Sequence, residues 1–143
     1  RQVMGSSFTP GMLSCLYQNS KDDLWYDEFT DEPAEGIYRN HFDNDKIEEE
    51  EEFKNGIAHG SHKKWWPDGS FRFEKHLTNG FLDGESVHWH FNGQISSKSH
   101  WIAGGHHGSY ETWWENGNPR CVQQWRDGEL LEETFFREDG TEI

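Results

Sequence analysis

Aliphatic side chains are scarce in this chain, and so are cysteine, proline and positive charge. Hydrophobic residues make up only 31% of the 143 residues, below the usual share of a globular domain. Leu, Ile and Val are therefore too few to fill an ordinary multilayer core. Cys15 and Cys121 are too few for a disulfide framework and form no CxxC pair, which points to a reduced, cytoplasmic setting. No apolar stretch approaches the length needed to span a bilayer, and none resembles the core of a signal peptide. Thirteen Lys and Arg stand against 27 Asp and Glu, for a net charge of −14. Such a field repels nucleic acid and anionic membrane and steers a basic partner inward. The excess is uneven, with a balance of −10 over residues 1–52 and −4 over residues 53–143.

Aromatic rings and glycine are plentiful instead. Aromatics reach 15%, with eight Trp, and 15 glycines accompany four prolines. Large flat rings must supply most of the buried area, and many tight turns must need positive φ. Both features predict an all-β chain one sheet deep.

The sequence repeats every 24 residues without gaps, as 29–52, 53–76, 77–100 and 101–124, with a shorter unit at 125–143. Glycines recur at Gly56, Gly80, Gly104 and Gly128; at Gly36, Gly60, Gly84 and Gly108; and at Gly69, Gly93 and Gly117. Gly140 falls one position early, and Asp45 stands where the first unit should have its turn glycine. Asp68-Gly69, Asn92-Gly93 and Asn116-Gly117 read as two-residue hairpin turns with both central residues at positive φ. A looser turn such as Asn79–Gly84 then leads into the next unit. Repetition of this pattern predicts an elongated, single-layer antiparallel meander of tandem β-hairpins, each touching only its neighbours.

Period-two alternation assigns two faces. Odd positions align rings in columns: Trp65, Trp89 and Trp113; Phe53, Leu77, Trp101 and Trp125; Ile47, Phe71 and Ile95. This odd face is read as the structural spine. The even face, with His62, Lys64, Trp66, Arg72, His76, His88, His90, Lys98, His100, Tyr110, Thr112, Trp114 and Arg120, is polar and dotted with rings that suit an interface. Residues 1–28 are expected to cap the first hairpin, with a short helix at 10–19 opened by Thr9-Pro10. The run Glu48–Glu52 reads as a solvated edge or loop that blocks edge-to-edge pairing; its functional reading is contact with a basic partner.

The segment F-K-N-G-I-A-H-G-S-H-K-K-W-W-P-D-G-S at 53–70 resembles the MORN-variant repeat, whose units look like Y-x-N-G-x-x-x-G-x-x-x-x-Y-Y-x-N-G-x. The stretches 77–94 and 101–118 match equally well, whereas 125–132 loses the second glycine to Glu132. The resemblance covers roughly 29–143 and implies the hairpin fold. It is similar to bacterial antitoxin or immunity proteins found beside secreted toxins, and other MORN proteins act as membrane-associated or assembly scaffolds. No catalytic residues carry over.

No phosphate-binding loop, dinucleotide fingerprint, nucleophile elbow or zinc-protease helix is present, so neither an enzymatic role nor a cofactor is expected. Cys121 lies on the odd face and is read as a packed residue rather than a nucleophile. His76, His88 and His90 are the candidate metal ligands, although no carboxylate or thiolate partner is evident beside them. The leading expectation is a protein that neutralises a basic toxin domain by occlusion. Its expected contacts are Trp66, His62, His88, His90, Tyr110, Trp114 and Glu48, Glu49, Glu50, Glu51 and Glu52. A structural scaffold and a glycan-binding module are the alternatives.

Overall fold

The computed structural model describes residues 3–4 and 15–143. In chain order its strands are β1 (Val3–Met4), β2 (Leu16–Gln18), β3 (Trp25–Asp27), β4 (Gly36–His41), β5 (Ile47–Lys54), β6 (Ile57–Trp65) and β7 (Phe71–Thr78). They continue as β8 (Phe81–Leu82), β9 (Gly84–Trp89), β10 (Ile95–Ile102), β11 (Gly105–Trp113), β12 (Pro119–Arg126) and β13 (Glu129–Phe135). Strands β4 to β7 and β9 to β13 form one antiparallel meander in sequence order, with β8 paired to β7. The sheet is open at both ends, and β1–β3 form a small second sheet. The described residues contain no helix.

Two kinds of turn alternate along the meander, and they are the reverse of those expected. The two-residue turns lie at Asn55-Gly56, Asn79-Gly80, Ala103-Gly104 and Asp127-Gly128, where both residues have positive φ. At the other end of each hairpin, the residue before the glycine is not left-handed; only the glycine is, as at Gly69 with φ 92°. There the Trp66 amide donates to the Ser70 carbonyl at 2.8 Å and Gly69 donates to Trp66 at 2.9 Å. This is a three-residue loop that closes on a left-handed residue. Asp68 favours it by accepting the Ser70 amide at 2.9 Å, as Asn92 and Asn116 do for Gln94 and Asn118. The first unit keeps the loop even without its glycine, because Asp45 itself adopts φ 67°.

Successive hairpins are stitched at both ends. The glycine amides of the two-residue turns reach back to the preceding hairpin: Gly56 to Ala34 at 2.9 Å, Gly80 to Ala58 at 2.8 Å, Gly104 to Leu82 at 2.8 Å and Gly128 to His106 at 2.9 Å. At the three-residue loops, side-chain amides reach forward. Asn44 donates to Pro67 at 3.0 Å, Asn92 to Glu115 at 2.8 Å and Asn116 to Glu138 at 2.8 Å. Asp68 has no such donor to offer the next loop.

The parity of the two faces also differs from expectation. A two-residue turn pairs positions whose numbers sum to an odd value, as Lys54 with Ile57. A residue facing one way at an odd number in one strand therefore lies beside an even number in the next. Glu51 stands beside His62 and then Lys75, and Glu49 beside Lys64, Phe73 and His88. The predicted even face is thus split: His62, His88 and Tyr110 share a face with Phe73, whereas His76 pairs with Ser61 on the other. The ring columns survive because register shifts at Lys64/Trp65 and Thr112/Trp113 return Trp65 and Trp113 to the odd positions of their neighbours. Trp65 stacks on Phe71 at 5.5 Å, and Phe71 meets Trp89 at 5.4 Å.

Residues 16–18 of the predicted helix are strand β2, and 10–14 lie outside the described residues. Leu16 and Trp25 of this segment pack against the first hairpin. Leu16, Ala34, Tyr38 and Phe53 form the one cluster of buried apolar residues among the described residues, with Trp25 and Ala58 packed against it. Phe53 meets Tyr38 edge-on at 5.4 Å, and the Trp25 amide donates to the Gly56 carbonyl at 2.9 Å. The turn fits closely beneath: a Cβ at Gly56 would lie 2.9 Å from the Trp25 carbonyl oxygen.

Ala103 and Asp45 are the weak residues of this turn series. Ala103 occupies, at φ 48°, a left-handed position that Asn or Asp fills in the other three turns. Ala103→Asn and Asp45→Gly should each raise the unfolding free energy by about 0.5–1 kcal/mol, seen as a higher urea midpoint at unchanged slope.

Candidate functional site

One face of the sheet concentrates chemistry. Its long row runs Glu49, Lys64, Phe73, His88, Ser97, Thr112 and Cys121, each paired across to the next. A second row runs Tyr38, Glu51, His62 and Lys75, and a third Ser86, Ser99, Tyr110 and Gln123. The run of glutamates is therefore neither edge nor loop: β5 is interior, flanked by β4 and β6. Alternation sends Glu49 and Glu51 to this face and Glu48, Glu50 and Glu52 to the opposite one. There Arg39 donates through Nε to Glu50 at 2.9 Å, and Glu52 accepts the Ser61 amide at 3.2 Å.

Glu49, Glu51 and His62 form an electrostatic cluster. His62 Nε2 lies 3.6 Å from Glu49 and Nδ1 3.9 Å from Glu51, while Lys64 Nζ is 3.4 Å from Glu49. Burial opposes ionisation of Glu49, but the adjoining His62 and the Lys64 ammonium outweigh it and hold the carboxyl below its usual range. Burial raises Glu51, with Glu49 adding to the effect and His62 and Lys75 only partly opposing it. Burial likewise lowers Lys75, against the pull of Glu51. The candidate ligand atoms of Glu49, Glu51 and His62 lie within 4.8 Å of one another. They fit a divalent cation only if Lys64, which already neutralises Glu49, swings away. The three candidate histidines are not assembled: His76 and His88 face opposite ways, and His90 Nε2 is engaged by the Trp113 carbonyl at 2.9 Å.

Beside this cluster the face hollows into an open cavity of about 380 Å³. Lys75, His88, Leu82 and Trp101 line it, and Ser86, Ser97, Ser99 and Tyr110 supply hydroxyls. Trp101 stacks on His106 at 3.7 Å, and His106 on Trp125 at 4.8 Å. Burial keeps the imidazoles of His106 and His88 below their usual range, and the charges of Lys75 and Arg72 add to the effect at His88. Cys121, 7% exposed, is packed as expected, and burial raises its thiol.

Trp66, His90 and Trp114 lie apart from this face, at the ends of the three-residue loops. They are half-buried rather than free anchors. The Arg72 guanidinium covers Trp66 at 4.8 Å and Arg120 covers Trp114 at 4.5 Å, while Trp114 Nε1 donates to the Phe136 carbonyl at 3.2 Å. Of the expected contacts, the structure brings together Glu49, Glu51, His62, His88 and Tyr110. Lys75, Ser86, Ser99, Trp101 and His106 complete the site, and the odd-sum pairing rule of two-residue turns was the signal that would have placed them there.

Register, stitched turns and single-layer build define a tandem β-hairpin repeat protein. The family model of the MORN repeat variant matches residues 34–55 and 82–103. Each match spans one hairpin, and they begin 48 residues apart, two periods of the repeat. These two stretches carry the MORN repeat variant, a module of a kind that generally binds proteins or membranes. No curated protein matches it. No helix among the described residues is long and apolar enough to cross a membrane.

The raised Glu51 gives a signed pH prediction. A carboxyl whose folded pKa exceeds its unfolded value costs nothing below the unfolded value, and its full penalty applies above the folded one. Glu51→Gln should therefore stabilise the protein at pH 7 relative to wild type. That gain should vanish below about pH 4, under the usual range of a glutamate, in denaturant melts across the interval.

Proposed function

We propose that this protein is a binding scaffold that neutralises a basic toxin domain by occlusion, in the manner of an immunity protein or antitoxin. The observation that carries the reading is the combination of a −14 charge with a long meander sheet whose two end strands are open edges. A repeat sheet offers a broad surface for docking another protein, and its field draws a cationic partner and raises the association rate. Rows of acid, base and ring side by side supply specific polar contacts around aromatic anchors. The proposal gives the protein no catalytic role and places it in the cytoplasm, with neither nucleic acid nor inserted membrane as its partner.

The test is co-expression with the product of the adjacent gene, followed by size exclusion at low and high salt. A complex that survives at low salt and loosens as salt screens the charges is the expected result. A folded protein that elutes alone at both salt concentrations would overturn the reading and favour an assembly scaffold.

A further inference from the structure

The cavity beside Lys75 has the composition of a small-ligand site rather than of a protein contact. Its volume of about 380 Å³ falls in the range of small-molecule pockets, about 300–1,000 Å³. Ser86 is only 3% exposed, lines the cavity, and its Oγ has no hydrogen-bond partner among the described residues. Ser99, 5% exposed, accepts from Trp101 Nε1 at 2.9 Å and so fixes the indole. One face of Trp101 is covered by His106, and the indole lines the cavity. Lys75 Nζ rests over the Phe73 ring at 4.4 Å and makes no salt bridge among the described residues.

We propose that this cavity binds an acidic sugar ring, with the ring face against Trp101, the ring hydroxyls on Ser86, Ser99 and Tyr110, and the acid on Lys75. Elimination leads there, because buried polar groups must find partners. A neutral sugar can accept from the ammonium but leaves its charge unmatched. An inorganic anion leaves the indole and the hydroxyls unused. An aromatic acid satisfies the ammonium and the indole but strands Ser86 and its neighbours. Only a ring with hydroxyls along its rim and one anionic group uses all three features, and the charge-assisted contact to Lys75 makes the acid decisive. The burial that lowers the Lys75 amine is relieved when an anion takes its place beside it. The site stands independently of the toxin reading, since it is assayed with no protein partner present.

The experiment is a titration of the full ¹⁵N-labelled chain at constant ionic strength, followed by amide and indole shifts. Sodium D-glucuronate and glucose 6-phosphate are the two acidic sugars; D-glucose and sodium benzoate are the controls. Saturable shifts at Ser86, Ser99 and the Trp101 indole are expected with at least one acidic sugar, with glucose and benzoate at least ten-fold weaker. The arm that saturates first identifies the acid as carboxylate or phosphate. Lys75→Met should reduce that affinity about ten-fold, to the level of glucose, and Ser86→Ala should weaken it several-fold with an unchanged thermal transition. Absence of saturable shifts with both acidic sugars, equal affinity for either control, or full binding by Lys75→Met would each overturn the proposal.

Discussion

Everything in this sheet hangs on the way one hairpin is registered against the next. A single-layer sheet has no second layer to hold its strands in place, so that task falls to the backbone and to the turns. The glycine amide of each two-residue turn donates to a carbonyl of the hairpin before it, from Gly56 to Ala34 through Gly128 to His106. That donor points backwards only because both turn residues are left-handed. Neighbouring units are locked before any side chain is counted. This explains how a chain with 31% hydrophobic residues keeps an ordered sheet of this length. Among the described residues the cluster of buried apolar packing lies at one end, where Leu16, Tyr38 and Phe53 meet under β2 and β3.

The same turns decide which residues meet. Because paired positions sum to odd numbers, the even-numbered histidines of one strand come to lie beside the odd-numbered glutamates and lysines of the next. Placing carboxylates on an interior strand costs desolvation, which His62 and Lys64 offset at Glu49 more completely than His62 and Lys75 offset it at Glu51. That face therefore combines a compensated ion cluster with a cavity whose ammonium makes no salt bridge among the described residues.

The repeat period, the strand-only build and the aromatic columns were all legible in the sequence, because spaced glycines and like rings are read directly from the chain. The faces were not. Reading Asp68-Gly69 rather than Asn55-Gly56 as the two-residue turn left the parity unflipped, which placed His62 and His76 together and Glu51 apart from both. An N-G or D-G pair marks a turn but does not reveal how many residues close it; hydrogen bonds such as Trp66 to Ser70 settle that. The capping segment was misread for another reason: Leu16 and Tyr17 fit a helical face as well as a strand, and pairing with Trp25–Asp27 makes them strand. Trp114 looked like an anchor because its guanidinium cover comes from Arg120, six residues and one loop away.

The loops opposite the glycine turns form a chain of their own, Asn44 to Pro67 and Asn92 to Glu115 to Asn116 and Glu138, interrupted where Asp68 takes the place of an amide. At that seam the Trp66 ring meets Phe91 edge-on at 5.6 Å, a contact that tolerates tilting far better than a hydrogen bond does. Across that seam the strands stay paired, Phe73 to His88 and Glu74 to Val87, so the loop edge of the array changes from amide bonds to ring contact while the ladder beneath it runs on.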